Sequence, residues 1–382
     1  MDLIEKLEIL SEDAKFDLCG SYLCSPQEIR RKSTIYGWIY PTTLPNGTTV
    51  RLLKTLLSND CIHNCYYCAN RADRPFKRLS FTSDEMVRLF LEMKRRNLVD
   101  GLFLSSAVTK SPKETMENML KVAEILREVY KFKGYIHLKI LPESSEDYLI
   151  RAMELADRVS INLEAPKKEY LTKIAPQKNF DNLFKKIEII NKLLLKDKRP
   201  KYGFTTQFVV GAENEKDKEI LYTVYNLYKK YNLNRAYFSA FKPIPMTPFE
   251  DLPPTSTWRE HRLYQADFLL RKYNFSLEEL IFQSDGNLYI NEDPKWIWAI
   301  NHPEFFPIEI NKANLNELLR IPGIGPLCAK RIINERKKNK IRNIKDLEKL
   351  GVVVKRASKF ILINGKRPTE ERQLELFNAF YF

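Results

Sequence analysis

The 382-residue chain has no apolar run approaching the roughly 20 residues that cross a bilayer, so a membrane-embedded protein is not expected. Its opening residues, MDLIEKLEIL, are acidic and lack the basic region that begins a secretory signal peptide. Cysteine is scarce: there are six, and Cys19, Cys24 and Cys328 are scattered. That leaves no disulfide framework and points to a reducing cytoplasm. Isolated cysteines of this kind are most often plain buried residues. The other three crowd into one short stretch, but no second Cys or His pair follows, as it normally does in a structural zinc site.

What is present is a soluble, globular composition, 44% hydrophobic and 29% charged, with length enough for one large domain and a small one. The net charge of +14 is uneven. Residues 311–382 hold 17 Lys and Arg against 7 Asp and Glu, an excess of ten, which leaves only about +4 for the first 310 residues. A basic tail on a nearly balanced body suggests a polyanionic partner, although a solvated lysine-rich surface gives the same count.

The crowded cysteines lie in NDCIHNCYYCAN, Asn59 to Asn70, where Cys61, Cys65 and Cys68 follow the spacing C-x3-C-x2-C and Tyr67 precedes the last. A loop of that length can wrap three thiolates around one corner of a cubic iron–sulfur cluster. Such clusters usually take four Cys ligands, so three leave one iron open, and an open metal site usually means chemistry. A zinc site and three incidental cysteines are the alternatives.

Along the chain, residues 1–48 read as an N-terminal extension with a helix from Asp2 and a loop-like remainder. Asn46-Gly47 marks a turn, and TTVRLLKTLLS then reads as a buried strand delivering the cysteine loop. Five more strands follow: Gly101 to Ser105, Tyr135 to Ile140, Arg158 to Ala165, Tyr202 to Gly211 and Arg235 to Phe241. Amphipathic helical patterns separate them, among them SDEMVRLFLEMKRRN capped by Ser83 and a helix with Ser111 as cap and Pro112 at its first position. Six strands alternating with helices argue parallel strands joined by helical crossovers, over residues 49–242.

Residues 243–310 form a connecting region. It starts with five prolines between Pro243 and Pro254, which can be neither helix nor inner strand, and ends with Trp296, Trp298, Phe305 and Phe306 close together. These aromatics could stack on bases or seal a second domain. In residues 311–382, a helix, the turn Ile321-Pro322-Gly323-Ile324-Gly325-Pro326 and a second helix from about Leu327 follow in order. Gly323 and Gly325 permit close backbone approach, and the helix N-terminus offers amides and a positive dipole end to phosphate, with Lys330 and Arg331 just behind. A degenerate second unit with Gly351 is expected to be its packing partner.

The cysteine stretch, with an aromatic before its third Cys, resembles the signature of the radical S-adenosylmethionine (radical SAM) enzymes. The resemblance implies a 4Fe-4S cluster whose open iron is chelated by the amino and carboxylate groups of S-adenosylmethionine. It further implies that an electron from the cluster, supplied by a donor such as flavodoxin or ferredoxin, cleaves the sulfonium to a 5′-deoxyadenosyl radical that abstracts hydrogen from substrate. The implied fold is an α/β partial (β/α)6 TIM-like barrel. Reactive groups in such barrels lie at the C-terminal strand ends. Those ends hold Ser105 and Ser106, His137 and Lys139, Asn162 and Glu164, Gln207 and Gly211. Together with Tyr67 they are the candidate cofactor-binding residues, although an inward polar pair can also simply bond to its neighbours. The family usually carries a Gly-Gly-Glu-like segment at the second strand's end. This chain has Ser105-Ser106-Ala107, so hydroxyls or backbone would replace the acid.

The tail closely resembles the helix-hairpin-helix motif, here a small all-α domain, which grips the phosphodiester backbone without reading sequence. The order of parts, from about Leu7 to the C-terminus, resembles a family described as DNA modification or repair radical SAM proteins. That implies an enzyme acting on nucleic acid, DNA first. Radical chemistry on tRNA or other RNA, an iron–sulfur nucleic-acid-binding protein without turnover, and a radical enzyme for a protein or small molecule are the alternatives. No residue is assigned to substrate chemistry.

Overall fold

The structure, a computed structural model, describes residues 2–14, 38–43, 47–196 and 200–368. Cys19 and Cys24 lie outside the described residues, as does most of the expected loop of residues 15–48. The chain divides into two compact units, Met1–Tyr264 and Gln265–Phe382.

The first unit is built on one seven-stranded sheet: β1 (Ile39–Thr43), β2 (Thr49–Leu56), β3 (Gly101–Ser105), β4 (Tyr135–Lys139), β5 (Arg158–Ser160), β6 (Phe204–Val210) and β7 (Arg235–Ala240), in that spatial order. β1 runs antiparallel to β2, and β2 to β7 are parallel, each next to its predecessor. These six parallel strands are the expected partial (β/α)6 barrel. Every residue of β3 and β6 is buried, as strands covered on both faces require. The unit's helices are α1 (Leu3–Asp13), α2 (Ser83–Arg95), α3 (Pro112–Glu124), α4 (Glu146–Leu155), α5 (Lys168–Ile174), α6 (Phe180–Leu195) and α7 (Asp217–Lys230), and α8 (Thr257–Lys272) runs across the division at Tyr264. Ser111 caps α3 through the Glu114 amide, with Pro112 at the first position, as expected. The cap of α2 is Thr82 rather than Ser83, because Thr82 completes a reciprocal capping box with Glu85.

Two other expectations change. The stretch before residue 48 is not all loop, since Ile39–Thr43 pairs with Thr49–Leu53. Pro41 argues against a strand in the sequence, yet it is tolerated in an edge position. The strand expected over 158–165 stops at Ser160. Beyond it Glu164 takes a positive φ of 63° and touches β6 only through an isolated bridge to Phe208. The chain thus turns where a longer strand was expected.

The second unit contains α9 (Pro294–Ile300), α10 (Leu315–Arg320), α11 (Pro326–Glu335), α12 (Ile344–Lys349) and α13 (Val354–Ala357). A two-residue parallel pair, β8 (Ile308–Glu309) with β9 (Ile361–Leu362), adds to the expected helical make-up. α10–α11 and α12–α13 are two hairpins of the same plan. Asn314 with Glu317 and Asn343 with Asp346 form capping boxes at the first helix of each. Gly323 and Gly351 take the same left-handed conformation in the two turns, φ 86° and 88°. Trp298 packs against Phe275, Phe305 and Phe306, and Trp296 against Phe360, so the aromatics cluster within this unit, with Phe275, Trp298 and Phe360 buried.

Candidate functional site

The loop after β2 is fastened at both ends before any ligand is considered. Asn59 is fully buried, its amide donating to Asp13 Oδ2 and Lys77 O while its oxygen accepts from the Leu79 amide. The Arg78 guanidinium donates to five backbone carbonyls, those of Asn59, Asn70, Arg71, Ala72 and Arg74, at 2.5–3.1 Å, and lies over the Phe76 ring. Within this clasp the Ile62 amide reaches Val108 O and the Tyr66 amide reaches Ile174 O.

Cys61, Cys65 and Cys68 all line one cavity of about 170 Å³. The His63 amide donates to Cys61 Sγ and the Asn70 amide to Cys68 Sγ, both at 3.4 Å, an arrangement suited to thiolates. Burial pushes the Cys65 thiol up to about 11 and the Cys68 thiol to about 12. Both are therefore protonated at neutral pH until a cation draws off the proton. Among the described residues no three Cys, His, Asp or Glu groups converge on a single metal ion. Thiolates bound at about 2.3 Å to one zinc would sit within about 4 Å of each other. A cluster that gives each thiolate its own iron fits the donor set better.

Six of the expected strand-end residues meet in that cavity: Ser105, Ser106, Lys139, Asn162, Glu164 and Gln207; Tyr67 lines it too. Ser105 Oγ is buried without a hydrogen-bond partner, as are Asn70 Oδ1 and both ring nitrogens of His63. Unpartnered buried polar atoms gathered at one cavity suit a polar ligand that completes them. This fits S-adenosylmethionine, whose amine, carboxylate and ribose hydroxyls are such partners. Ser106 Oγ donates to Ala107 O at 2.7 Å.

Glu164 is held by Lys178, Nζ to Oε1 2.7 Å, an ion pair that sequence reasoning missed. Burial alone would lower the Lys178 pKa, but Glu164, then Tyr67 and Cys65, outweigh it and hold the ammonium well above its usual range. The Tyr67 hydroxyl is pushed up by burial and next by Glu164. His63 and Glu143 also line the cavity, 3.8 Å apart, and burial holds the imidazole below its usual pKa against the pull of Glu143. Lys178 carries no sequence signal, because it lies in a loop between α5 and α6. His63 stands inside the cysteine motif, where a lone histidine could have drawn notice.

Two candidates are misplaced. His137 does not line the cavity. It is 1% exposed, pairs in register with Phe103 and packs against that ring at a tilt of 34°, and burial holds it neutral. It lies two residues, or about 7 Å, below Lys139 along β4, and only the last inward residue of that strand reaches the mouth. Gly211 does not line the cavity either. A Cβ there would lie 2.0 Å from Thr255 Oγ1, and its amide donates to Glu215, so its freedom serves a tight turn.

In the second unit, Lys330 and Arg331 are exposed just behind the hairpin turn, and Arg331 also donates to Leu350 O. Gly323 approaches another backbone as expected, but that backbone is internal. A Cβ would lie 2.4 Å from Val353 O, and the Val353 amide donates to Gly323 O at 3.0 Å. The second hairpin does pack against the first. Gly325 has an ordinary φ of −97°, and its Cβ would meet only the Tyr273 hydroxyl at 3.3 Å.

Residues 55–224 match the family model of the Radical SAM superfamily, and residues 305–355 that of the helix-hairpin-helix motif. No curated protein matches. Among solved structures, the chain is similar to HydG, a maturase of the FeFe-hydrogenase, at 14% identity over 56% of this chain and 48% of that one, with a TM-score of 0.46. It thus spans about half the length of that maturase. It is also similar to methylornithine synthase (PylB), at 14% identity over 71% and 69%, TM-score 0.47. A radical SAM methyltransferase from Sphaerobacter thermophilus is 12% identical over 69% and 86%, TM-score 0.43.

Proposed function

We propose that this chain, whose residues 55–224 match the Radical SAM superfamily and residues 305–355 the helix-hairpin-helix motif, is a radical SAM enzyme that modifies or repairs nucleic acid, with DNA the first choice and tRNA or other RNA the second. The observation that carries this is the motif itself, set in a stretch whose excess of ten positive charges suits a polyanion. Bound together, a 4Fe-4S cluster and S-adenosylmethionine supply one-electron chemistry ending in abstraction of a hydrogen atom from substrate. Cys61, Cys65 and Cys68 would hold the cluster. Asn162 and Glu164 would accept from the cofactor's ribose hydroxyls or amine, while Lys178 holds the Glu164 carboxylate in place. The Ser105 and Ser106 hydroxyls stand where the family usually has an acid, and Lys139 and Gln207 complete the polar wall.

The residues after Gly325, with Lys330 and Arg331, would hold the phosphate backbone, so that positioning is independent of base sequence. A low-potential donor such as flavodoxin or ferredoxin, in a reducing cytoplasm, would supply the electron. Among the described residues no helix is long and apolar enough to cross a membrane.

The test is mass spectrometry of nucleosides from cells with and without the gene. A nucleoside that changes in DNA supports the proposal, and one that changes only in tRNA moves it to the second choice. If neither changes while the reduced, reconstituted protein forms 5′-deoxyadenosine with a small molecule, the nucleic-acid assignment is wrong and the radical chemistry stands.

A further inference from the structure

Beneath the α10–α11 turn lies a cation that belongs to neither hairpin. Lys295, the second residue of α9, is only 8% exposed, and its Nζ donates to Ile324 O at 2.6 Å, between Gly323 and Gly325. The ammonium lies over the Tyr273 ring, 4.7 Å from its centre. Asp293, two residues before it, caps α9 through the Trp296 amide and contacts the Arg356 guanidinium with its other oxygen.

The peptide plane then decides what this does. In a trans peptide, C=O and N–H point in opposite directions. A carbonyl of Ile324 drawn onto Lys295 therefore turns the Gly325 amide away from the ammonium, while Gly323 O is already taken by the Val353 amide. The face thereby presented is the open one: Leu327, two residues on, is 71% exposed, and Lys330 is exposed one turn later.

We propose that Lys295 is the positioning residue of this hairpin, drawing the Ile324 carbonyl inward so that the Gly325 amide faces a bound phosphate, and lending that phosphate a buried positive charge. This rests on the nucleic-acid function proposed above. It differs from the roles of Lys330 and Arg331, because a buried ammonium makes no contact of its own with the nucleic acid.

A proton signature accompanies the role. Burial chiefly, with Arg356 and Arg320 adding, drives the Lys295 pKa well below its ordinary value, against the opposing pull of Asp293 and a smaller one from Cys328; the remaining neighbour is the face of Tyr273. An arriving phosphate favours the charged form and raises that pKa. Binding therefore takes up a proton. Affinity is complete below the pKa of the free protein and falls as pH rises through it, by up to about tenfold per pH unit.

The experiment measures the affinity of the full-length protein for a fluorescent DNA duplex of arbitrary sequence, at fixed low salt, from about pH 5 to about pH 10. The wild type is expected to lose affinity with rising pH. Lys295→Met is expected to bind about tenfold or more weakly at the acid end of that range, with a flat profile, and Lys330→Ala to keep the profile while its salt slope falls by about one. A flat wild-type profile, which needs no variant and so no folding control, overturns the inference, as does a folded Lys295→Met protein with unchanged affinity and profile. If the wild type binds neither duplex nor tRNA at low salt, the nucleic-acid function fails and takes this role with it.

Discussion

Burial sets the thiols of Cys65 and Cys68 against ionisation, so their thiolate forms belong to the ligand-bound state alone. Replacing Cys61, Cys65 or Cys68 by Ala should abolish the brown colour and the absorbance near roughly 400 nm expected of thiolate-bound iron. Cys328→Ala should leave both intact, since that thiol lies in the other unit and donates to Gly351 O. A cluster retained in full by Cys65→Ala, measured as iron and sulfide content, refutes the assignment. At the cavity wall, Glu164→Gln or Asn162→Ala should weaken S-adenosylmethionine binding by about 1–3 kcal/mol with the cluster still loaded. Calorimetry showing unchanged affinity in both variants would return the pair to a purely internal role. The cysteines were legible because their spacing is local. Lys178 was not, because 14 residues and a change of direction separate it from Glu164, and only the fold brings them to 2.7 Å. His137 misled because alternation tells which face a residue takes but not how far up the strand the cavity begins.

The cysteine loop is an element without regular structure, and Arg78 substitutes for the missing ladder. One planar guanidinium, through its two terminal nitrogens, meets five carbonyls drawn from both sides of the three cysteines. Lysine keeps the charge but offers three donors from a single point, so Arg78→Lys is not a conservative change. The variant should fold with an unchanged far-ultraviolet spectrum yet lose iron to a chelator about tenfold faster, each lost charge-assisted bond being worth roughly 1.5–3 kcal/mol. Equal rates of loss would show that the clasp does not hold the loop. Elements with an apolar run and a flanking helical pattern, β2 to β7, were readable from the sequence. β1 was hidden by Pro41, and β5 ran on in the sequence pattern because Ile161 and Leu163 are buried without being paired in the ladder. At α2 the sequence did carry the signal for the cap: Glu85 stands three residues after Thr82, the capping-box spacing, whereas Ser83 has Met86 there.

Over the whole chain, uneven charge and the Gly-x-Gly turn announced the second unit, while its supports stayed unseen. Arg320 at the end of α10 is held by Glu279 and by the carbonyls of Tyr273 and Asn274, and Lys295 reaches the turn from 29 residues away. These come from residues that read only as a connector, because a side chain buried by a later segment leaves no periodic trace. In the first unit the sheet stays open among the described residues, with β1 and β7 as its ends. An open end is a template on which another chain can add a strand. β1 occupies that place beside β2 and sets Pro41, which has no N–H to offer, opposite Arg51. Without residues 1–48 the sheet would instead end on β2, whose run from Leu52 to Leu56 is buried throughout. Such a shortened chain should scatter light and precipitate at concentrations where the full chain stays dissolved, and equal solubility would show that β1 plays no such part. The short strand at this end of the sheet thus works as a stopper, leaving no bare run of β2 for another chain to extend.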